Sequence, residues 1–112
     1  MKDSLRPGLE HVLRFTVSES KTVPELYPES PGFAVMPRVF ATGFLVGLVE
    51  WACLELLAPH LEGPDEQSVG THVDLSHAAA TPPGFTVTVT VRLVALDGRR
   101  LRFEVSAHDG ID

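Results

Sequence analysis

A long apolar stretch over residues 40–59 (FATGFLVGLVEWACLELLAP) constrains the fold more than any other part of the chain. It is long enough to span a bilayer, but it contains two acidic residues, Glu50 and Glu55, and lacks basic flanking anchors. We therefore predict a core helix over Thr42–Leu57, with Thr42 as its N-cap and a proline two residues beyond its end. Because the helix is apolar on nearly every side, other elements must cover most of it.

Several segments with alternating apolar residues predict strands around this helix. Residues 11–17 predict one strand before it, and residues 69–77, 85–96 and 101–107 predict three after it. The sequence DGR at residues 97–99 predicts a hairpin turn. An antiparallel sheet curled around one long helix is the simplest arrangement, so we predict a single α+β domain over residues 1–112.

Length and composition fit one globular domain, with 112 residues of which 44% are apolar and 21% charged. The net charge of −6 argues against a nucleic-acid-binding protein, although Arg99, Arg100 and Arg102 could together hold a small anion. The single cysteine, Cys53, excludes an intrachain disulfide and suits a cytoplasmic location. The N-terminal sequence MKDSLRPGLEH lacks the apolar core of a signal peptide. We predict no membrane association.

Glu50 is the residue of the apolar helix that most needs an explanation. It shares a helical stripe with Gly43 and Gly47, where a ligand or another backbone could approach closely. An ionised carboxylate is costly to bury without a partner, so Glu50 is either a satisfied structural acid or a nucleophile or general base. The predicted inward face of residues 69–77 includes His77, which favours a Glu50–His77 pair. Glu55 lies on a different side of the helix from Glu50 and is expected to be a solvated charge at the rim of the site.

Thr42 lies eight residues before Glu50, which corresponds to about 12 Å along a straight helix. The two side chains can therefore share a site only through a ligand, a water molecule or a dimer interface. As the first residues of a helix, Thr42 and its neighbours could also hold an oxyanion.

The chain shows no pattern typical of a metal or cofactor site, so we predict neither. His72 and His77 would diverge from opposite faces of a strand, and no partner is identifiable for His11, His60 or His108. Cys53 is interpreted as a small core residue. Phosphate-binding loops, dinucleotide fingerprints and nucleophile elbows are absent from the sequence.

Residues 21–38 contain four prolines, which makes a long regular element improbable. The same segment carries several apolar side chains, so it must pack over something. It is either a lid over a pocket or plain cover for the core.

Three stretches of the chain resemble a known family. They are KTVPELYPESPGFAVMPRVFATGFLVGLVEWAC, VGTHVDLSHAAATPPGFTVTVTV and GRRLRFEVSAHDG. In this order they are similar to the fluoroacetyl-CoA-specific thioesterases, a family of the hotdog-fold thioesterase superfamily, over nearly the whole chain. The resemblance implies a hotdog fold, in which an antiparallel sheet wraps around one long central helix, usually as a homodimer.

The resemblance also implies roles for individual residues. The catalytic residues would be Thr42, Glu50 and His77, and Gly70 would lie near the thioester carbonyl. The apolar lid would be formed by Val23, Leu26 and Phe33, with Met36 where the family has a second phenylalanine tied to fluorine discrimination. The family continues into one more strand that carries a site arginine, so we expect this domain to be C-terminally truncated, with its last strand missing.

The implied activity is hydrolysis of a short acyl-CoA, fluoroacetyl-CoA in particular, to the free acid and CoA, which would serve detoxification. Glu50 could act as nucleophile or as general base. A general short-chain acyl-CoA thioesterase and a non-catalytic acyl-CoA-binding hotdog module are the alternatives. A hotdog hydratase or dehydratase fits the Thr–Glu spacing poorly.

Overall fold

The computed structural model describes residues 1–77 and 79–110, which form one long helix and a small sheet. Strand β1 covers Glu10–Thr16, and two single-turn helices follow, α1 over Val23–Leu26 and α2 over Pro31–Ala34. The long helix α3 covers Thr42–Leu57, as predicted, and strands β2 and β3 cover Thr86–Asp97 and Arg100–His108. Short 3-10 turns lie at Glu19–Lys21 and Ala58–His60.

The sheet is antiparallel, with the order β1-β2-β3. The predicted hairpin is confirmed, because Asp97 pairs with Arg100 across a two-residue turn. Gly98 takes a φ of 60° in that turn, a conformation that glycine adopts without steric cost. The register of β2 against β3 shifts between Leu93 and Ala95, which is a bulge of the kind that bends a strand.

The core lies between α3 and the central strand. Alternate residues of β2 face the helix and are buried, as the sequence pattern predicts; they are Val87, Val89, Val91 and Leu93. One face of α3 meets them, through Leu45, Leu48, Ala52 and Leu56. The predicted α+β architecture, a long helix against an antiparallel sheet, is therefore confirmed.

The opposite face of α3 stays open, although we expected cover on most sides. Glu50 and Gly47 are exposed there, and Trp51 and Leu54 keep 47% and 45% of their surface accessible. By length and composition alone, Thr42–His60 could cross a membrane. This is weak evidence for a membrane span, because the core helices of soluble proteins satisfy the same criterion. Here the helix packs one side on the sheet.

The strand predicted over residues 69–77 is wrong for this structure. The segment has no regular secondary structure, and Val69, Val73 and Leu75 are exposed instead of facing the helix. A strand exists only where its backbone finds a hydrogen-bonding neighbour. Within residues 1–77 and 79–110, no strand pairs with this segment.

The predicted helix cap is also wrong. The N-cap of α3 is Ala41, whose methyl group cannot accept a hydrogen bond, and Thr42 is the first helical residue. The hydroxyl of Thr42 is engaged elsewhere, by His77.

Candidate active site

Thr42 and His77 form a hydrogen-bonded pair at the N-terminal end of α3. Thr42 Oγ1 lies 2.8 Å from His77 Nδ1, so the hydroxyl donates to Nδ1 or accepts from it, according to the imidazole tautomer. Thr42 is exposed and His77 is half-buried. The ring of Phe40 packs edge-on against His77, with centroids 6.5 Å apart and planes at 74°. The imidazole is thus held by one polar and one apolar contact.

Glu50 lies two turns further along α3, next to the backbone of Gly70. A Cβ placed on Gly70 would lie 3.1 Å from Glu50 Oε1 and 3.2 Å from its Cδ. Glu50 is exposed, so its carboxylate is in contact with water, and it is not a buried structural acid. No hydrogen bond or ion pair to Glu50 is found within the described part of the chain. The predicted Glu50–His77 pair does not form, because His77 lies against Thr42 instead.

Cys53 lies one helical turn beyond Glu50 and is half-buried. Burial, and to a lesser extent the charge of Glu50, raises the pKa of the Cys53 thiol to about 11. The thiolate is the reactive form of cysteine, so Cys53 is protonated and unreactive near neutral pH. This agrees with its interpretation as a core residue.

The proline-rich segment lies over the start of α3. Leu26 of α1 packs on Gly43, where an added Cβ would lie 3.1 and 3.2 Å from its two methyl carbons. Phe33 stacks on Tyr27, with ring centroids 6.1 Å apart. Pro24 of the same segment is buried. The segment therefore packs on the start of α3, and its role as a lid stays a prediction.

The remaining residues predicted to form a lid differ in exposure. Val23 is half-buried, whereas Met36 is 48% exposed and lies just after α2. Arg38 ties the segment together through ion pairs with Glu25, at 3.2 Å, and Glu19, at 3.8 Å.

Two histidines have partners that the sequence did not reveal. His11 Nε2 lies 2.7 Å from Glu55 Oε1, and His60 Nδ1 lies 2.7 Å from Ser4 Oγ. Each pair joins residues more than 40 positions apart, so no local pattern could have indicated them. Glu55 is consequently a paired residue between α3 and β1, not a free rim charge.

Two of the cavities formed by the described residues have linings that include neither Thr42 nor Glu50. One, of about 230 Å³, borders the aromatic side of α3 and is lined by Phe15, Lys21, Phe40, Phe44, Gly47, Leu48 and Trp51. The other, an open polar cleft of about 450 Å³, is lined by Glu62, Asp65, Glu66, Gln67 and Arg99. Three acidic residues surround Arg99 in that cleft, which disfavours an anion there. Among the described residues, no group of three His, Cys, Asp or Glu side chains could hold a metal ion.

The fold places this chain among the hotdog proteins of the thioesterase superfamily. A Thermus thermophilus hypothetical protein, a member of that superfamily, superposes with a TM-score of 0.73 at 31% identity, over 92% of this chain and 71% of that one. The chain belongs to the family of fluoroacetyl-CoA-specific thioesterases (FlK), whose model matches residues 17–112. The predicted family and fold are thereby confirmed.

Two relatives within the family are close. The fluoroacetyl-CoA thioesterase of Streptantibioticus cattleyicolor is 58% identical over 112 residues, which are all of this chain and 80% of that protein. The crystal structure of an FlK variant, with one phenylalanine replaced by alanine and with fluoroacetate and CoA bound, gives a TM-score of 0.93. It is 57% identical over 96% of this chain and 86% of that one.

Proposed function

We propose that this protein hydrolyses fluoroacetyl-CoA to fluoroacetate and CoA. The observation that carries the proposal is the arrangement along the open face of α3. Thr42, hydrogen-bonded to His77, begins the helix, and the exposed carboxylate of Glu50 lies two turns further on. The chain that carries this arrangement belongs to the fluoroacetyl-CoA thioesterase family. The 58% identical relative carries that activity in its name, and a solved relative holds fluoroacetate and CoA.

Glu50 acts on the thioester carbonyl in one of two ways. The carboxylate attacks the carbonyl carbon, the C–S bond breaks to release CoA, and water then cleaves the resulting mixed anhydride. Alternatively, the carboxylate removes a proton from a water molecule that attacks directly. In both routes the departing thiolate takes up a proton, for which the His77 imidazole is the donor. Thr42, through its hydrogen bond to Nδ1, fixes the orientation of that imidazole.

The backbone beside Glu50 serves the same step. Gly70 has no side chain, so its peptide approaches the carboxylate closely and can place an N–H near the thioester oxygen. Together with the first N–H groups of α3, it would stabilise the negative charge that develops on that oxygen.

A homodimer brings the two parts of the site together. Thr42 and Glu50 are about 12 Å apart along α3, too far for direct contact within one subunit. The exposed apolar side chains of Trp51 and Leu54 lie on the same open helix, and exposed apolar patches mark interaction surfaces. In the dimer, Glu50 of one protomer would face the Thr42–His77 pair of its partner.

The acyl group is bound by the lid residues Val23, Leu26, Phe33 and Met36. A fluoroacetyl group is small, and a closed apolar lid suits it. Met36 is flexible and adapts its shape to its contacts, so it can complete the lid in place of an aromatic ring. Removal of a toxic acyl-CoA in the cytoplasm, where CoA esters are formed, would be the biological purpose.

Release of free CoA from fluoroacetyl-CoA, acetyl-CoA and crotonyl-CoA, measured side by side, tests this proposal. We expect fast release from fluoroacetyl-CoA, slower release from acetyl-CoA, and no loss of enoyl absorbance from crotonyl-CoA. Equal release from the first two would identify a general short-chain thioesterase. Binding without release would indicate an acyl-CoA-binding module, and loss of enoyl absorbance would indicate a hydratase.

A further inference from the structure

A buried threonine connects the start of α3 to the end of β3. Thr81 is only 5% exposed, and its Oγ1 donates a hydrogen bond of 2.9 Å to Asp109 Oδ2. The carbonyl of Thr81 accepts a 2.7 Å hydrogen bond from the N–H of Phe40. Asp109 directly follows β3, so this link joins the sheet to the residues just before Thr42.

The same residues hold His77 in place. Phe40 packs its ring against the imidazole, and Thr42, two residues later, bonds to Nδ1. On the other side, the N–H of Ala41 donates to the carbonyl of Lys21 at 3.1 Å. The backbone that carries both partners of His77 is therefore fixed between Lys21 on one side and Thr81 on the other.

The Thr81 hydroxyl is costly to leave without a partner. A buried polar group that loses its hydrogen bond destabilises the folded chain, and Thr81 and Thr22 are the buried polar residues of residues 1–77 and 79–110. The Asp109 carboxylate meets this requirement for Thr81. The pair thus ties the chain four residues beyond His77 to the residue that directly follows β3.

We propose that Thr81 and Asp109 are positioning residues that set the orientation of His77 against Thr42. This inference rests on the proposed function, since it assigns these two residues a part in that same site. Neither residue is expected to contact the substrate. They act through Phe40, because a shift of Thr81 moves the Phe40 backbone and with it the ring that supports the imidazole. Misplacement of a reacting group by about 1 Å can lower a rate by roughly 100-fold.

Three substitutions separate positioning from plain stability. Thr81→Val keeps the shape but removes the donor, Asp109→Ala removes the acceptor, and Thr81→Ser keeps the hydroxyl. The matched control is Thr22→Val, which removes a hydroxyl from a similarly buried residue (0% against 5% exposed) whose 2.7 Å hydrogen bond goes to the Glu19 carbonyl. We expect Thr81→Val and Asp109→Ala to lower kcat by roughly 10- to 100-fold with KM nearly unchanged. Thr81→Ser and Thr22→Val should keep kcat within a few-fold.

A measurement independent of activity completes the test. In protein labelled with ¹⁵N-histidine, the ring signals of His77 are assigned by their loss in His77→Gln. Their chemical shifts should move in Thr81→Val and Asp109→Ala, and stay in Thr81→Ser and Thr22→Val. Unchanged His77 signals and an unchanged kcat in folded Thr81→Val would overturn the inference. If Thr81→Val does not fold, the same two measurements on folded Asp109→Ala decide in its place. An inactive wild-type enzyme would refute the proposed function, while the NMR signals would still decide this inference.

Discussion

The contact between Gly70 and Glu50 is tight enough that a side chain at Gly70 would push the carboxyl group aside. All three atoms of the Glu50 carboxyl group would lie within 3.5 Å of a Cβ at Gly70. A carboxylate that must attack a carbonyl or activate water needs one defined position. The absence of a side chain at Gly70 therefore determines where the carboxylate can lie.

Replacing Gly70 by alanine is expected to displace Glu50 and lower kcat by about 100-fold. Stability should change by less than about 1 kcal/mol, because the Glu50 side chain can move into solvent. Steady-state kinetics and thermal unfolding measure the two effects. Val69→Ala is the matched control, since Val69 is the neighbouring residue and is 80% exposed. Wild-type kcat in Gly70→Ala would show that this contact has no catalytic role.

The thiol of Cys53 reports the charge of Glu50. With its pKa raised from 9.0 to about 11, Cys53 should react with iodoacetamide at pH 8 about 100-fold more slowly than an unperturbed thiol, because only the thiolate reacts. The reaction should accelerate as the pH rises towards 11. In Glu50→Gln the thiol loses its negative neighbour and should react faster at the same pH. An alkylation rate that is unaffected by Glu50→Gln would show that burial alone, without Glu50, raises the pKa of the Cys53 thiol.

At the level of elements, a hydrogen-bonded His–Glu pair joins the helix to an outer strand. His11 of β1 and Glu55 of α3 are 2.7 Å apart, with side chains 34% and 37% exposed. Because the pair is partly hydrated, its contribution is smaller than that of a buried pair. It adds to the apolar contacts that hold α3 on the sheet.

We expect His11→Ala to lower the free energy of unfolding by about 1 kcal/mol. Urea denaturation of His11→Ala, Glu55→Gln and the double variant measures the coupling between the two residues. The double variant should lose less than the sum of the single losses. Strict additivity would mean that the pair contributes nothing to stability.

The sequence predicts helices, strands and turns well where the local residue pattern alone determines them. The alternation in β2, the Gly98–Arg99 turn and the C-terminal end of α3 before Pro59 follow from local residue chemistry, and the structure confirms them. Residues 69–77 alternate as clearly, but pairing depends on a neighbouring strand, which no local pattern specifies. The Thr42 cap failed for a similar reason, because its hydroxyl bonds to a residue 35 positions away.

The site was predictable only in part. Glu50, His77 and Thr42 each stood out in the sequence itself, but their combination as one set of catalytic residues came from the family resemblance, and their roles remain predictions. An all-round apolar helix gives no indication of which face is covered. The exposure of Glu50 and the pairing of His77 with Thr42 therefore required the three-dimensional structure.

For the whole molecule, the proposed dimer predicts complementation between inactive variants. If Glu50 of one protomer serves the Thr42–His77 pair of its partner, a mixed dimer of Glu50→Gln and His77→Gln has one intact site and one doubly altered site. After equal amounts are unfolded and refolded together, activity should return to about a quarter of the wild-type rate. Each variant refolded alone is the control. Absence of any recovery in a verified mixed dimer would place the whole site within one subunit.

The most direct test of the central claim compares two carboxylates of the same helix. Glu50 is exposed beside Gly70, whereas Glu55 is paired with His11, and each is changed to glutamine without altering its size. Release of CoA from fluoroacetyl-CoA should fall by at least about 100-fold in Glu50→Gln and stay near the wild-type rate in Glu55→Gln. Equal rates in folded Glu50→Gln and wild-type protein would contradict the assignment of Glu50 as the residue that hydrolyses the thioester.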